Sequence, residues 1–310
     1  MREFNIDFNK TLKKVLIVYF VIFLAGIVAA FVMGISLDIN FSGGTKISYS
    51  YSDEIADKDI EAVVKETIDN SFTISKSTAL AGDTQTFEIS LVGKDALSAE
   101  DQEALTAALT KKFEDNKIEL YNSTSVSPSI AGTFFAKSLV AVLITAIGVV
   151  IYVGIRFRKI GGISAALTAL VALVFDVLIT FFVCVFFRLQ IDLNYIAVVL
   201  TILGYSLNDT IVIYDRIREN DKLNPDMEIG ELVNISINKV MIRNIVTSVT
   251  TCLAVITIIV VSELFGLTSL RTFAIPMAFG LVSGGISSLF ISAPLWVIWK
   301  KHRATKKAKA

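Results

Sequence analysis

The chain has 310 residues, of which 54% are hydrophobic, above the roughly 45–50% apolar content of soluble domains. With a mean hydropathy of +0.65, it does not read as a soluble enzyme. Lys plus Arg (29) balances Asp plus Glu (29), which excludes the global basic excess of a nucleic-acid binder. The single histidine, His302, leaves little for a metal site or histidine catalysis, and no cofactor is called for.

Six stretches are nearly free of charge over the length of about 20 residues that a helix needs to cross a bilayer. They cover residues 15–34, 138–155, 163–187, 193–214, 244–262 and 272–299. The first exceeds the roughly 7–15-residue apolar core of a cleaved signal and is expected to stay as an anchor. Both cysteines, Cys184 and Cys252, fall inside apolar runs, so no disulfide framework is expected.

Orientation follows from the short flanks. Before residue 15, at 156–159, between 216 and 239, and after 299 there are 17 Lys and Arg, whereas the two short loops on the other side carry only Arg188 and Arg271. The positive-inside rule then puts both termini in the cytoplasm, with residues 1–14 and 300–310 as cytoplasmic flanks of the first span and of the 134–299 bundle. Residues 35–133 lie outside and are acidic, with 17 Asp and Glu against 8 Lys and Arg. Alternation predicts strands over 46–51, 72–77, 86–91 and 118–123, and helical spacing predicts helices over 57–69 and 98–113, the second opening on a Ser98/Asp101 capping signal. The expected fold is a multi-pass six-helix membrane protein with a ferredoxin-like α+β exterior domain.

A charge at the bilayer centre costs about 2.5–3.5 kcal/mol, so each one needs a reason. Asp176 sits mid-span with Thr168, Ala172 and Thr180 at four-residue steps, neighbours that could hydrogen-bond it. Asp209 shares a mostly polar face with Thr201, Tyr205, Asn208 and Val212, expected to point into the bundle. Arg243 opens the fifth span on a face continued by Thr247, Thr250, Thr251 and Ala254. Asp209 is about 24 Å down its helix, at the depth where Arg243 also lies, so the two are expected to meet. In the sixth span Gly280, Gly284 and Ser287 form a small-residue packing face, and Pro276 and Pro294 supply local breaks in the helix ladder.

Two intramembrane aspartates raise the prospect of an aspartyl protease, but Tyr205-Ser206-Leu207-Asn208-Asp209 is not the Gly-x-Gly-Asp of such enzymes. No phosphate-binding Gly-x-x-x-x-Gly-Lys loop is present in the sequence. The chain reads as a non-enzyme. A carboxylate that alternates between an arginine partner and a protonated form can carry protons coupled to helix position, which assigns Asp209 and Arg243 to a proton relay.

The run at residues 204–220, GYSLNDTIVIYDRIREN, resembles the fourth-helix signature of the SecF family, subunits of the bacterial Sec protein-export translocase within the resistance-nodulation-division superfamily. Arg243 followed by Thr247, Ser248, Thr250 and Thr251, the segment 175–180, and 284–295 with Ala293-Pro294-Leu295 extend the resemblance over nearly the whole chain. Where the family shows Asp-Phe-x-Gly-Gly after the first helix, this chain has Asn40-Phe41-Ser42-Gly43-Gly44 with the acid at Asp38. No charge role is therefore expected there, only a tight glycine turn.

The resemblance implies half of a twelve-helix assembly, completed by a SecD-like subunit. It implies an accessory role beside the SecYEG channel, in which the proton gradient helps draw unfolded exported polypeptide to the far side of the bilayer, with Asp209 and Arg243 as the proton-transfer pair and Asp176 as a third member of the relay. A membrane-anchored binding or assembly module without proton coupling, and half of a small-molecule exporter, are the competing readings.

Overall fold

A computed structural model describes residues 6–53, 55–68, 72–78, 85–92 and 97–309. Six helices are long and apolar enough to cross a membrane.

Helix α1 (Phe8–Met33) is N-capped by Asp7, which accepts from the Lys10 amide, so it begins before the predicted apolar run. The short α2 (Ile39–Ser42) follows, capped by Asp38. Strand β1 (Gly44–Tyr51), helix α3 (Asp57–Thr67), strands β2 (Phe72–Thr78) and β3 (Gln85–Val92), helix α4 (Ala99–Lys112) and strand β4 (Glu119–Val126) then build the α+β domain. All pairings are antiparallel in the order β2-β3-β1-β4, the β-α-β-β-α-β arrangement expected. Of the predicted α3, Asp69 lies outside the described residues. The Ser98 hydroxyl accepts from the Asp101 amide at 3.1 Å and donates to its carboxylate at 2.7 Å, as the capping signal implied. Ile47, Tyr49, Phe87 and Ile89 from the sheet meet Ile60, Val64, Leu105 and Leu109 from the helices in one core, because alternate strand positions face the same side.

Gly43 and Gly44 have φ of 81° and 132°, and a Cβ on Gly44 would lie 2.1 Å from the Leu91 carbonyl oxygen. The turn into the domain thus requires glycine. Beside it Asp38 does carry charge. It is buried, pairs with Lys46 at 3.0 Å and accepts from the Asn40 amide and side chain. The charge at this turn thus comes from Asp38, two residues before Asn40.

Helices α5 (Pro128–Arg156), α6 (Gly162–Phe186), α7 (Leu193–Leu223), α8 (Ile229–Leu264), α9 (Thr268–Ser287) and α10 (Ala293–Lys309) form the rest, with a π-helical turn at Ser288–Ser292 between the last two. Pro276 is accommodated inside α9; the irregularity sits just before Pro294, whose missing N–H and ring disturb the preceding turn. α7 runs past the predicted span and α8 starts well before its own. Their extensions pack Ile217 against Leu232, Val233 and Ile237, and Asn220 donates to Ser236 at 2.7 Å. The chain start is laced to this hairpin: the Phe8 amide donates to Asn234 at 3.0 Å, and Asn238 donates to the Ile6 carbonyl at 3.0 Å.

The α+β domain is tied to the bundle by backbone. The Asp38 amide donates to the Ile191 carbonyl at 3.1 Å and the Ile191 amide to the Ser36 carbonyl at 2.8 Å. Gln190 on the α6–α7 loop donates to Thr73 on β2 at 2.9 Å.

Candidate functional site

The serine content of α7 and α9 converges on the charge of α6. Asp176 is completely buried, and its carboxylate accepts from Ser206 at 2.7 Å, Ser283 at 2.6 Å and Ser287 at 2.9 Å. The Tyr19 hydroxyl of α1 meets Ser283 at 3.0 Å. Thr168 and Thr180, the neighbours expected to bond Asp176, are engaged elsewhere. Thr180 bonds backbone carbonyls of its own helix, and Thr168 meets the Tyr214 hydroxyl at 2.8 Å. Both hydroxyls turn back to the carbonyls three and four residues before them, the usual local competitor for a threonine in a helix. A buried carboxylate with three hydroxyl donors is a satisfied one.

Asp209 differs. It is 2% exposed, yet one carboxylate oxygen, Oδ2, has no hydrogen-bond partner among the described residues, and the same holds for Asn244 Nδ2 and Ser248 Oγ on α8. No ion pair within 4.0 Å joins Asp209 to Arg243 among the described residues, although the Ser248 hydroxyl and, less strongly, the Arg243 charge are near enough to act on the carboxylate. The expected meeting is therefore not made as a direct contact. Successive helix residues point about 100° apart, and on α8 it is Asn244 that takes the inward direction while Arg243 is exposed.

The polar face assigned to α7 is divided in the same way. Ser206, Asp209 and Thr210 turn into the bundle, whereas Thr201 and Asn208 are exposed. Tyr205 bridges outward, donating to the Thr247 carbonyl at 3.0 Å and to Thr251 at 2.9 Å. Thr247 and Thr250 return their hydroxyls to their own helix.

The small residues of α9 let the helices close in. A Cβ on Gly280 would lie 2.1 Å from Ile202 Cδ1 and 2.6 Å from Thr180 Cγ2; one on Gly284 would meet Ser206 Cβ at 3.0 Å, and one on Gly285 Ser248 Oγ at 2.9 Å. Ser287, expected only to pack, is a donor to Asp176. Ser206, Ser283, Ser288 and Thr210 were not singled out as partners, though Gly280, Ser283, Gly284 and Ser287 recur at the three- and four-residue steps of one face. Thr210 donates to Ser288 at 3.1 Å, and Ser288 donates to the Ser206 carbonyl at 3.2 Å, so the π turn belongs to the same polar seam.

Six membrane helices around buried carboxylates, joined to a ferredoxin-like domain, define a multi-pass membrane transport protein. A family model described as "Protein export membrane protein SecD/SecF, C-terminal" matches residues 105–302, and the chain belongs to that family. It is 33% identical over 288 residues to a protein translocase subunit SecF of Alicyclobacillus acidocaldarius, covering 92% of this chain and 89% of the relative. It is 32% identical to a SecF of Petrotoga mobilis, covering 98% and 99%. It also matches a SecDF of Bacillus subtilis at 31% identity, covering 97% of this chain and 39% of that one. Among solved structures it resembles SecDF from Thermus thermophilus, with a TM-score of 0.80, 26% identity and coverage of 96% of this chain. A SecDF in a super-membrane-facing form gives a TM-score of 0.71 at 27% identity, covering the whole of this chain. The chain spans about two fifths of those SecDF chains.

Proposed function

We propose that this chain is the SecF half of a proton-driven accessory unit of the Sec translocase, which helps complete polypeptide export on the far side of the membrane. The observation that carries the reading is Asp209: a carboxylate buried in a spanning helix with an oxygen left unengaged, beside an arginine whose position is not locked to it. Such a group can take up and release a proton as the α7–α8 distance to Arg243 changes, ionised when paired and neutral when apart. One charge crossing the full potential supplies about 2.3 kcal/mol per 100 mV, enough to bias two packings of the bundle.

The partner inferred is a SecD-like subunit. Thr201 and Asn208 on α7, with Arg243 and Thr250 on α8, are polar groups exposed on spanning helices, and polar surface at membrane depth faces protein rather than lipid. SecDF relatives, in which a chain of this kind is about two fifths of a longer one, support the same partner. The basic flanks support cytoplasmic termini and an exterior placement of residues 35–133 in the plasma membrane. By this reading the SecYEG channel and an unfolded exported chain are the working partners. The three serine donors support a different part for Asp176, a fixed node rather than a carrier.

The test reconstitutes the chain with its SecD-like partner and the translocase in vesicles. Dissipating the proton gradient should remove the stimulation of export by wild type, and Asp209→Asn should give that low level with or without the gradient. Full gradient-dependent stimulation in Asp209→Asn would sink the reading.

A further inference from the structure

A groove of about 840 Å³ lies on the bundle surface between α6 and α10, within the roughly 300–1,000 Å³ range of small-ligand sites. Its walls are Leu167, Leu170 and Val171 of α6 and Leu295, Ile298 and Trp299 of α10. Thr168 in the wall turns its hydroxyl to Tyr214 and its own backbone, so the wall is apolar. Beyond Trp299 the same groove is lined by His302, Arg303 and Lys306.

The α10 members recur at steps of three and four, so they form one stripe that passes from aliphatic through Trp299 to cationic. Lys306 lies about 10 Å beyond Trp299 along the axis. Aromatic rings at such a boundary sit at headgroup level. Arg303 and Lys306 are exposed and have no carboxylate within ion-pair distance among the described residues, whereas Lys301 of the same helix holds Glu228 at 2.7 Å, and Arg156 and Arg218 share Asp215. The cations at the groove are thus available to an anion from outside the chain.

We propose that this groove binds an anionic phospholipid, with an acyl chain between α6 and α10 and the phosphate on Arg303 and Lys306. The charge complementarity decides the class. A zwitterionic lipid fills the apolar length equally well but brings no net charge to the two cations, and a free anion meets the cations but leaves the groove empty of the chain it is shaped for. The site shares no residue with the Asp209 or Asp176 constellations, so it stands or falls independently of proton coupling. It would hold α10 at a set depth in its leaflet.

Native mass spectrometry of the full chain in detergent, offered phosphatidylglycerol or phosphatidylcholine, tests this. Wild type should retain phosphatidylglycerol about tenfold more strongly, the scale expected of two cations near an anionic headgroup. The surface double substitution Arg303→Gln/Lys306→Gln should bring the two lipids to parity. Val171→Trp, at a position 40% exposed in the groove wall, should weaken both, and Lys159→Gln, an exposed cation that does not line the groove, should change nothing. Equal retention of the two lipids by wild type, no effect of either groove variant, an equal loss in Lys159→Gln, or displacement by inorganic phosphate alone would each overturn the proposal.

Discussion

The Ser283 hydroxyl on α9 donates to the Asp176 carboxylate on α6 at 2.6 Å, and with Ser206 and Ser287 it ties three helices to one buried charge. Removing the acceptor leaves three hydroxyls without it. Asp176→Ala should therefore lower stability by about 3 kcal/mol or more, read as an earlier thermal unfolding transition in detergent. Asp209→Asn, at a carboxylate with an unengaged oxygen, should shift the same transition far less. Equal shifts in the two variants would remove the distinction between node and carrier.

Gly280 offers a purely steric test. Its Cβ would fall on Ile202 and Thr180 side chains, so Gly280→Ala must displace both. Overpacking of this kind costs about 1–3 kcal/mol. Ile202→Ala in the same chain should recover part of the loss in thermal unfolding, since Ile202 makes the closer of the two clashes.

Tyr205 joins α7 to α8 through its hydroxyl at Thr247 and Thr251, while its ring packs in the cluster around Val255. Tyr205→Phe keeps the ring and removes the tie, with an expected cost of about 1 kcal/mol. Under the proposed function it should also alter gradient-dependent export more than it alters stability, because the α7–α8 spacing sets the Asp209–Arg243 distance. Vesicle export and detergent unfolding measured side by side would separate the two effects.

Lys46 holds the buried Asp38 at 3.0 Å and Glu88 at 3.1 Å. Burial opposes its charge, but the two carboxylates, Glu88 foremost, overcome this and hold its pKa above the usual lysine value. Lys46→Met strands a buried carboxylate and should cost about 3–5 kcal/mol, seen as earlier proteolysis at the junction between the α+β domain and α1. Asp38→Asn combined with Lys46→Met should cost less than Lys46→Met alone.

Asp7 is held down to about 2 by the Asn234 side chain and the Lys10 amide. A carboxylate whose folded pKa is depressed stabilises above its unfolded value of about 3.9 and loses that contribution as pH falls toward the folded one. The protection of amides at the start of α1, measured against their intrinsic exchange rates, should fall between about pH 4 and 2 in wild type, an acid-induced rise in relative exchange. In Asp7→Asn, which keeps a capping oxygen but does not titrate, that acid-induced rise should be absent.

The sequence by itself marked the six apolar spans and the succession of strands and helices in the acidic α+β domain, because membrane insertion and strand alternation are read from windows of about twenty and about six residues in which each side chain counts alone. It also marked Asp176, Asp209 and Arg243, since a charge in an apolar run is conspicuous whatever surrounds it. Tertiary structure decided what those charges touch. The serines around Asp176 come from positions 30, 107 and 111 residues away, and a hydroxyl in a spanning helix carries no local sign of the partner it will find. The inward place on α8 went to Asn244 and not to Arg243, a rotation of one residue that periodicity does not resolve at a helix with polar groups on more than one side. The extensions of α7 and α8 were hidden because hydropathy ends where charge begins, while the helix continues for as long as Leu232, Val233 and Ile237 find Ile217 to pack against.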